Sequence, residues 1–77
     1  MQVEILSPDK NLFKGEATAL LLPGSDGKLG VLNNHAPLIA TLQKGQVKIT
    51  TAEGEKVFDV NGGVVEVLKN KVIILAE

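Results

Sequence analysis

Gln46-Val47-Lys48-Ile49-Thr50 alternates strictly between polar and apolar residues, the period-2 signature of a strand with one buried face. The pattern sends Val47 and Ile49 to a core and turns Gln46, Lys48 and Thr50 to water. Downstream, Ala52-Glu53-Gly54 supplies a turn and residues 55–60 a second strand, so the two runs read as a hairpin. Asn61-Gly62-Gly63 then breaks the ladder at a bulge or corner. Residues 64–68 and 72–75 form a last hairpin across Lys69-Asn70-Lys71. Valine and isoleucine dominate these runs, as pleated half-buried surfaces favour.

Upstream, Leu42-Gln43-Lys44-Gly45 is a turn, with Gly45 suited to a φ > 0 position, and residues 37–41 read as a strand. Before it stands Pro23-Gly24-Ser25-Asp26-Gly27-Lys28-Leu29-Gly30-Val31-Leu32-Asn33-Asn34-His35-Ala36-Pro37. Glycine at 24, 27 and 30 opens φ > 0 there, and Ser25, Asp26, Asn33 and Asn34 can cap their own turns. The segment is expected to be an ordered, turn-rich loop with a short strand at residues 29–32. A structured tip on a rigid β scaffold is a usual seat of function. Residues 13–22 read as one long strand, Ser7-Pro8-Asp9-Lys10 as a turn, and residues 2–6 as the first strand. Short strands separated by turns, with no helical period, predict a small flattened β-sandwich or barrel of about eight to ten mostly antiparallel strands.

At 77 residues the chain is expected to be one domain, residues 1–77. A domain this small buries only roughly 60–65% of its unfolded surface. No cysteine is present to staple it, which fits a reducing compartment. Apolar residues make up 44%, almost all aliphatic, with two phenylalanines and neither Trp nor Tyr. That is enough for a core but leaves no aromatic platform for bases or sugars. A net charge of −1 and the absence of arginine argue against nucleic acid. No apolar run reaches the roughly 20 residues of a membrane-spanning helix, and Met1 leads straight into a patterned strand with no signal-peptide features. Apolar runs at residues 20–22 and at Val64 exceed what a small core needs, which points to a standing partner.

Chemistry is sparse. His35 is the one histidine, so a multi-histidine metal site is excluded, and no nearby residues have ligand spacing. Ser7, Ser25 and several aspartates are present, but the Gly-x-Ser-x-Gly elbow is missing, so His35 reads as a loop or contact residue. The Gly24, Gly27, Gly30 spacing resembles a phosphate loop only superficially. No helix follows it, and Gly27-Lys28 is followed by leucine rather than Ser or Thr. Glu4, Glu16, Asp59 and Glu66 read as solvated strand positions, with no sugar-stacking aromatic beside them. No cofactor is expected. Lys69 on its tight turn supports one alternative, a biotinyl- or lipoyl-like carrier domain with a modified lysine at a hairpin tip. The methionine pair that flanks a biotinyl lysine is absent, and the turn lies near the C-terminus.

The run Gly27-Lys28-Leu29-Gly30-Val31-Leu32-Asn33-Asn34-His35-Ala36-Pro37-Leu38 resembles the hallmark of the N-terminal β-sandwich domain of F-type ATP synthase epsilon subunits. Lys44-Gly45-Gln46-Val47 is similar to that family's next turn, and Phe58 to Val67, with Gly62-Gly63 and Glu66, to its later strand pair. Val72-Ile73-Ile74-Leu75-Ala76 and the opening Leu12-Phe13-x-Gly15-x-Ala17 also fit, so the resemblance runs the whole length in order.

That resemblance implies a non-catalytic rotor part at the foot of the central stalk, coupling proton flow to ATP synthesis. It implies a gamma subunit and a membrane c-ring as partners, and a peripheral place on the cytoplasmic side of a bacterial inner membrane. By position, Asp26, Gly27, Lys28 and Leu29 would meet the ring; His35, Pro37, Leu38, Ala40 and Asn61 would face gamma or its junction with the ring. Two departures bear on this. Many members carry an acidic residue where this chain has Lys28, so a charge pairing with the ring would be reversed. The family continues into a C-terminal helical hairpin that can inhibit ATP hydrolysis and, in some members, bind ATP. This sequence stops at Glu77, so neither property is expected of it by that route.

Overall fold

The computed structural model describes residues 1–77. It contains nine strands: β1 (Gln2–Leu6), β2 (Asn11–Glu16), β3 (Ala19–Gly24), β4 (Gly27–Leu32), β5 (Leu38–Leu42), β6 (Gly45–Thr51), β7 (Gly54–Val60), β8 (Gly63–Leu68) and β9 (Lys71–Ala76). They form one sheet in the order β2-β1-β9-β8-β5-β3-β6-β7, with β4 on β3. All pairings are antiparallel except β1 with β9. The joint between β3 and β5 is a single register pair, Gly24 with Leu42. The sheet therefore folds there into two layers, β2-β1-β9-β8-β5 over β4-β3-β6-β7. This is the all-β sandwich that the alternation predicts.

Between the layers lie sixteen buried apolar residues. Val47 and Ile49 are both fully buried, while Gln46, Lys48 and Thr50 face out, as the period requires. Leu20 and Leu22 also belong to this core, at 3% and 1% exposure. The expectation that residues 20–22 offer a partner surface is thus corrected, and only Leu21 of the three is half-buried. Phe13 on β2 and Phe58 on β7 meet with ring centroids 5.8 Å apart and planes tilted by 59°. They come from the two terminal strands of the sheet order, so the only phenylalanines tie its ends together.

Two strand expectations change. Residues 13–22 are not one strand, because the chain changes layer between Ala17 and Thr18. Ala17 N–H donates to Met1 O at 2.9 Å in one layer, and Thr18 N–H to Thr50 O at 2.9 Å in the other. The segment 23–37 is mostly ladder rather than loop, since β4 pairs with β3 from Ala19–Leu32 down to Gly24–Gly27.

The glycines also differ from expectation. Gly27 does adopt φ 126°, but Gly24, Gly30 and Gly45 have no positive φ. Gly24 and Gly45 are needed for close approach instead. A Cβ on Gly24 would lie 2.5 Å from Gly27 O, and one on Gly45 would lie 2.8 Å from Pro23 Cβ. At the expected corner, Gly62 and Gly63 take φ 138° and 141°.

Candidate functional site

The β3–β4 hairpin ends in Ser25-Asp26, and four hydrogen bonds fasten that tip to the body. Ser25 N–H donates to Thr41 O at 3.0 Å, and Gln43 N–H donates to Pro23 O at 2.8 Å. The Thr41 hydroxyl donates to Ser25 Oγ at 2.9 Å. The Gln43 amide nitrogen, Nε2, donates to Gly24 O at 3.0 Å. A two-residue hairpin with no such bonds would sway on its strands; this one is held on β5 and the turn after it. Asp26, Gly27 and Lys28 are exposed together on the tip. Leu29 alternates to the inner side and packs against the core.

The connector between β4 and β5 is equally tied. The N-terminal amine donates to Asn33 Oδ1 at 2.6 Å and to Ala17 O at 2.9 Å. Asn34 takes φ 63°, and its N–H donates to Asn70 Oδ1 at 2.7 Å. His35 N–H donates to Leu32 O at 3.2 Å. His35 Nδ1 donates to the carbonyl oxygen of Ala36 at 2.7 Å, and no carboxylate is paired with the ring. No group of three or more His, Cys, Asp or Glu side chains could hold a metal.

The residues expected to face gamma do not form one patch. His35 and Pro37 stand at the start of β5, whereas Asn61 lies beyond its far end, where Leu42 pairs with Gly63. Four residue steps separate Leu38 from Leu42, about 13 Å at the usual strand rise of ~3.3 Å. Asn61 is accordingly nearer the fastened hairpin tip, because Gly24 also pairs with Leu42. Leu38 and Ala40 alternate inward and pack on the core. Their outward neighbour, Ile39, is 72% exposed.

Ile39 heads a surface that the sequence reading missed. Register places it opposite Glu66 on β8, which in turn pairs with Ile73 on β9. Val64 pairs with Leu75, and Leu75 with Leu6 on β1. Val64, Leu68 and Leu75 are all exposed, and Leu6 and Ile73 half-buried. The outer face of this layer is thus an apolar field crossed by Glu4, Glu66 and Lys71, of which Lys71 and Glu4 pair at 3.8 Å. Of this field the sequence reading flagged only Val64. The apolar run Leu38-Ile39-Ala40 carries no period, so nothing local says which residue points out.

The site thus consists of a fastened hairpin tip and an apolar outer face on a β-sandwich. Residues 1–77 match the family described as ATP synthase, Delta/Epsilon chain, beta-sandwich domain. The chain belongs to that family. It is 51% identical over 77 residues to an ATP synthase epsilon chain of Dichelobacter nodosus, covering 99% of this chain and 54% of that protein. An epsilon chain of Leptospira interrogans is 47% identical and is covered to 61%. One of Caulobacter vibrioides is 39% identical and covered to 90%. The chain therefore spans little more than half the length of several of its relatives. Among solved structures, a chain of the Euglena gracilis mitochondrial ATP synthase OSCP/F1/c-ring assembly superposes with a TM-score of 0.88 at 22% identity, over 96% of this chain and 48% of that one. A chain of the Tetrahymena thermophila central stalk/c-ring assembly gives 0.82 at 20%, over 97% and 61%. At these identities the superpositions concern the fold. The family assignment displaces the carrier-domain alternative built on Lys69.

Proposed function

We propose that this chain is a non-catalytic rotor element of an F-type ATP synthase central stalk, linking the gamma subunit to the c-ring and so coupling proton flow to ATP synthesis. The observation that carries this reading is the epsilon-family match over every residue from 1 to 77. The fastened hairpin supports it mechanically, because a part that transmits torque must not yield where it touches its neighbour. In this reading Asp26, Gly27 and Lys28 press on the polar loops of the ring, with Leu29 anchoring the tip from inside. His35, Pro37 and Asn61 border the gamma contact, and the outer face around Ile39 forms its apolar centre, held in register by Leu38 and Ala40 beneath. The domain sits peripherally on the cytoplasmic side of a bacterial inner membrane. None of the roles uses a bound cofactor.

The test is co-purification of tagged chain with gamma and the c-ring from cells expressing the complex, for wild type and for Lys28→Glu. Wild type is expected to retain both partners. Lys28→Glu is expected to hold the ring less well at low salt and to lose the weakening with salt that wild type shows, since Lys28 would meet a carboxylate or carbonyl on the ring and salt screens that attraction. Absence of gamma and ring from the wild-type eluate would end the rotor reading; an unchanged salt response would end only the role of Lys28.

A further inference from the structure

A cleft of about 290 Å³ lies on the outer side of the β4-β3-β6 layer, away from the apolar field on the opposite layer. Its floor is Leu21 and Pro23, and its walls carry Lys28, Lys44 and Lys48. The fold builds it from two register pairs and one close approach. Lys28 stands opposite Pro23 on β4, Lys48 opposite Leu21 on β6, and Gly45 lies against Pro23 so that Lys44 and Gln46 close the third side. Three of the chain's eight basic residues therefore converge on one cleft, in a protein whose net charge is −1. No acidic side chain lines it, and none of the three lysines has an ion-pair partner. The carboxylate next to this group, Asp59, lies outside the lining and accepts a hydrogen bond from Gln46 Nε2 at 3.2 Å.

Three like charges lining one cleft repel one another, and a bound anion relieves that repulsion. Lysine supplies compact point charges that bind phosphate-type groups, although the arginine fork serves carboxylates and phosphates alike. Lysines on three backbone segments around one cleft supply several point-charge donors for an anion carrying more than one charge.

We propose that this cleft is an anion site for a phosphate-type group, either free or borne on a lipid headgroup. The proposal does not depend on the rotor reading. It is tested on the 77-residue chain by amide shift changes on adding inorganic pyrophosphate, and by sedimentation with phosphatidylglycerol-containing vesicles against pure phosphatidylcholine vesicles. With pyrophosphate, saturable shifts are expected at Leu21, Gly45, Gln46 and Lys48. Affinity should fall at least about fivefold between roughly 0.01 M and 0.15 M salt, as screening shortens from ~30 Å to ~8 Å. Lys44→Gln/Lys48→Gln should abolish the binding, and Lys10→Gln/Lys14→Gln, outside the cleft, should leave it intact. All four side chains are exposed, and matched melting curves exclude misfolding as the cause. Retention on anionic vesicles alone, lost in the cleft variant, identifies a lipid source; pyrophosphate shifts without retention identify a soluble one. No binding in either arm, or binding that the cleft variant preserves, overturns the proposal.

Discussion

Gly24→Ala and Gly30→Ala place the same methyl group on the same hairpin, with opposite expected results. At Gly24 the new Cβ would lie 2.5 Å from Gly27 O, against roughly 3.3–3.6 Å for ordinary C–H···O contacts. The obstacle is backbone, so the turn itself must open by most of an ångström. Opening it strains the bonds from Ser25 N–H to Thr41 O and from Gln43 Nε2 to Gly24 O. Overpacking of this kind costs about 1–3 kcal/mol, and each weakened hydrogen bond about 1 more. Alanine also stiffens the unfolded chain, which returns about 0.4–1 kcal/mol. The net loss is about 2–4.6 kcal/mol, a fall in melting temperature of roughly 8–37 °C for a domain of this size. At Gly30 nothing lies within 4 Å of the new Cβ and φ is not positive. There only the unfolded-state term and strand propensity remain, so Gly30→Ala should match or slightly exceed wild type. Urea and thermal melts of the three proteins decide the matter. Equal midpoints for Gly24→Ala and wild type, or equal losses for the two variants, would refute the reasoning.

Two further predictions concern the end strands of the sheet and its outer face. A double-mutant cycle on Phe13→Leu and Phe58→Leu should show a coupling of about 0.5–1.5 kcal/mol from the tilted ring pair, measured by urea unfolding; additive losses would mean the rings do not join the sheet ends. Ile39→Lys, which faces Glu66 across β5–β8, should change stability by less than about 1 kcal/mol at so exposed a position. It should nevertheless weaken capture of gamma at least about tenfold if Ile39 anchors that contact, as read by surface-immobilised binding.

How far the residues alone reveal this molecule depends on the range of the interaction involved. Val47 and Ile49 are legible because alternation is local and one face is buried. The corner at Gly62-Gly63 is legible because paired glycines are needed where φ is positive. The split of residues 13–22 has a local trace in the alternation. Inward positions run at Phe13, Gly15 and Ala17, then at Leu20 and Leu22, so the parity flips at the point where the chain changes layer. Gly24 meets Gly27 O within its own tight turn, where the close approach depends on the turn's exact geometry, whereas Gly45 is not legible because its neighbour Pro23 Cβ comes from a strand distant in sequence. The same holds for the fastening of Ser25 and Gln43 across the β3–β5 joint, and for Ile39, whose outward aim is set by its pairing with β8. Asp26, Gly27 and Lys28 are exposed at the tip, but Leu29, grouped with them in the sequence, turns inward, and residues 27–32 form a strand where the turn formers suggest a loop.

Amide hydrogen exchange at the hairpin tip tests most directly whether this part is stiff by itself. Ser25 and Gln43 amides, bonded to Thr41 O and Pro23 O, should exchange as slowly as those of the central strand β8, while Asp26 at the turn exchanges freely. Exchange of Ser25 and Gln43 at the rate of Asp26 would mean that the tip is a loose loop, and the rigid-foot account would fail.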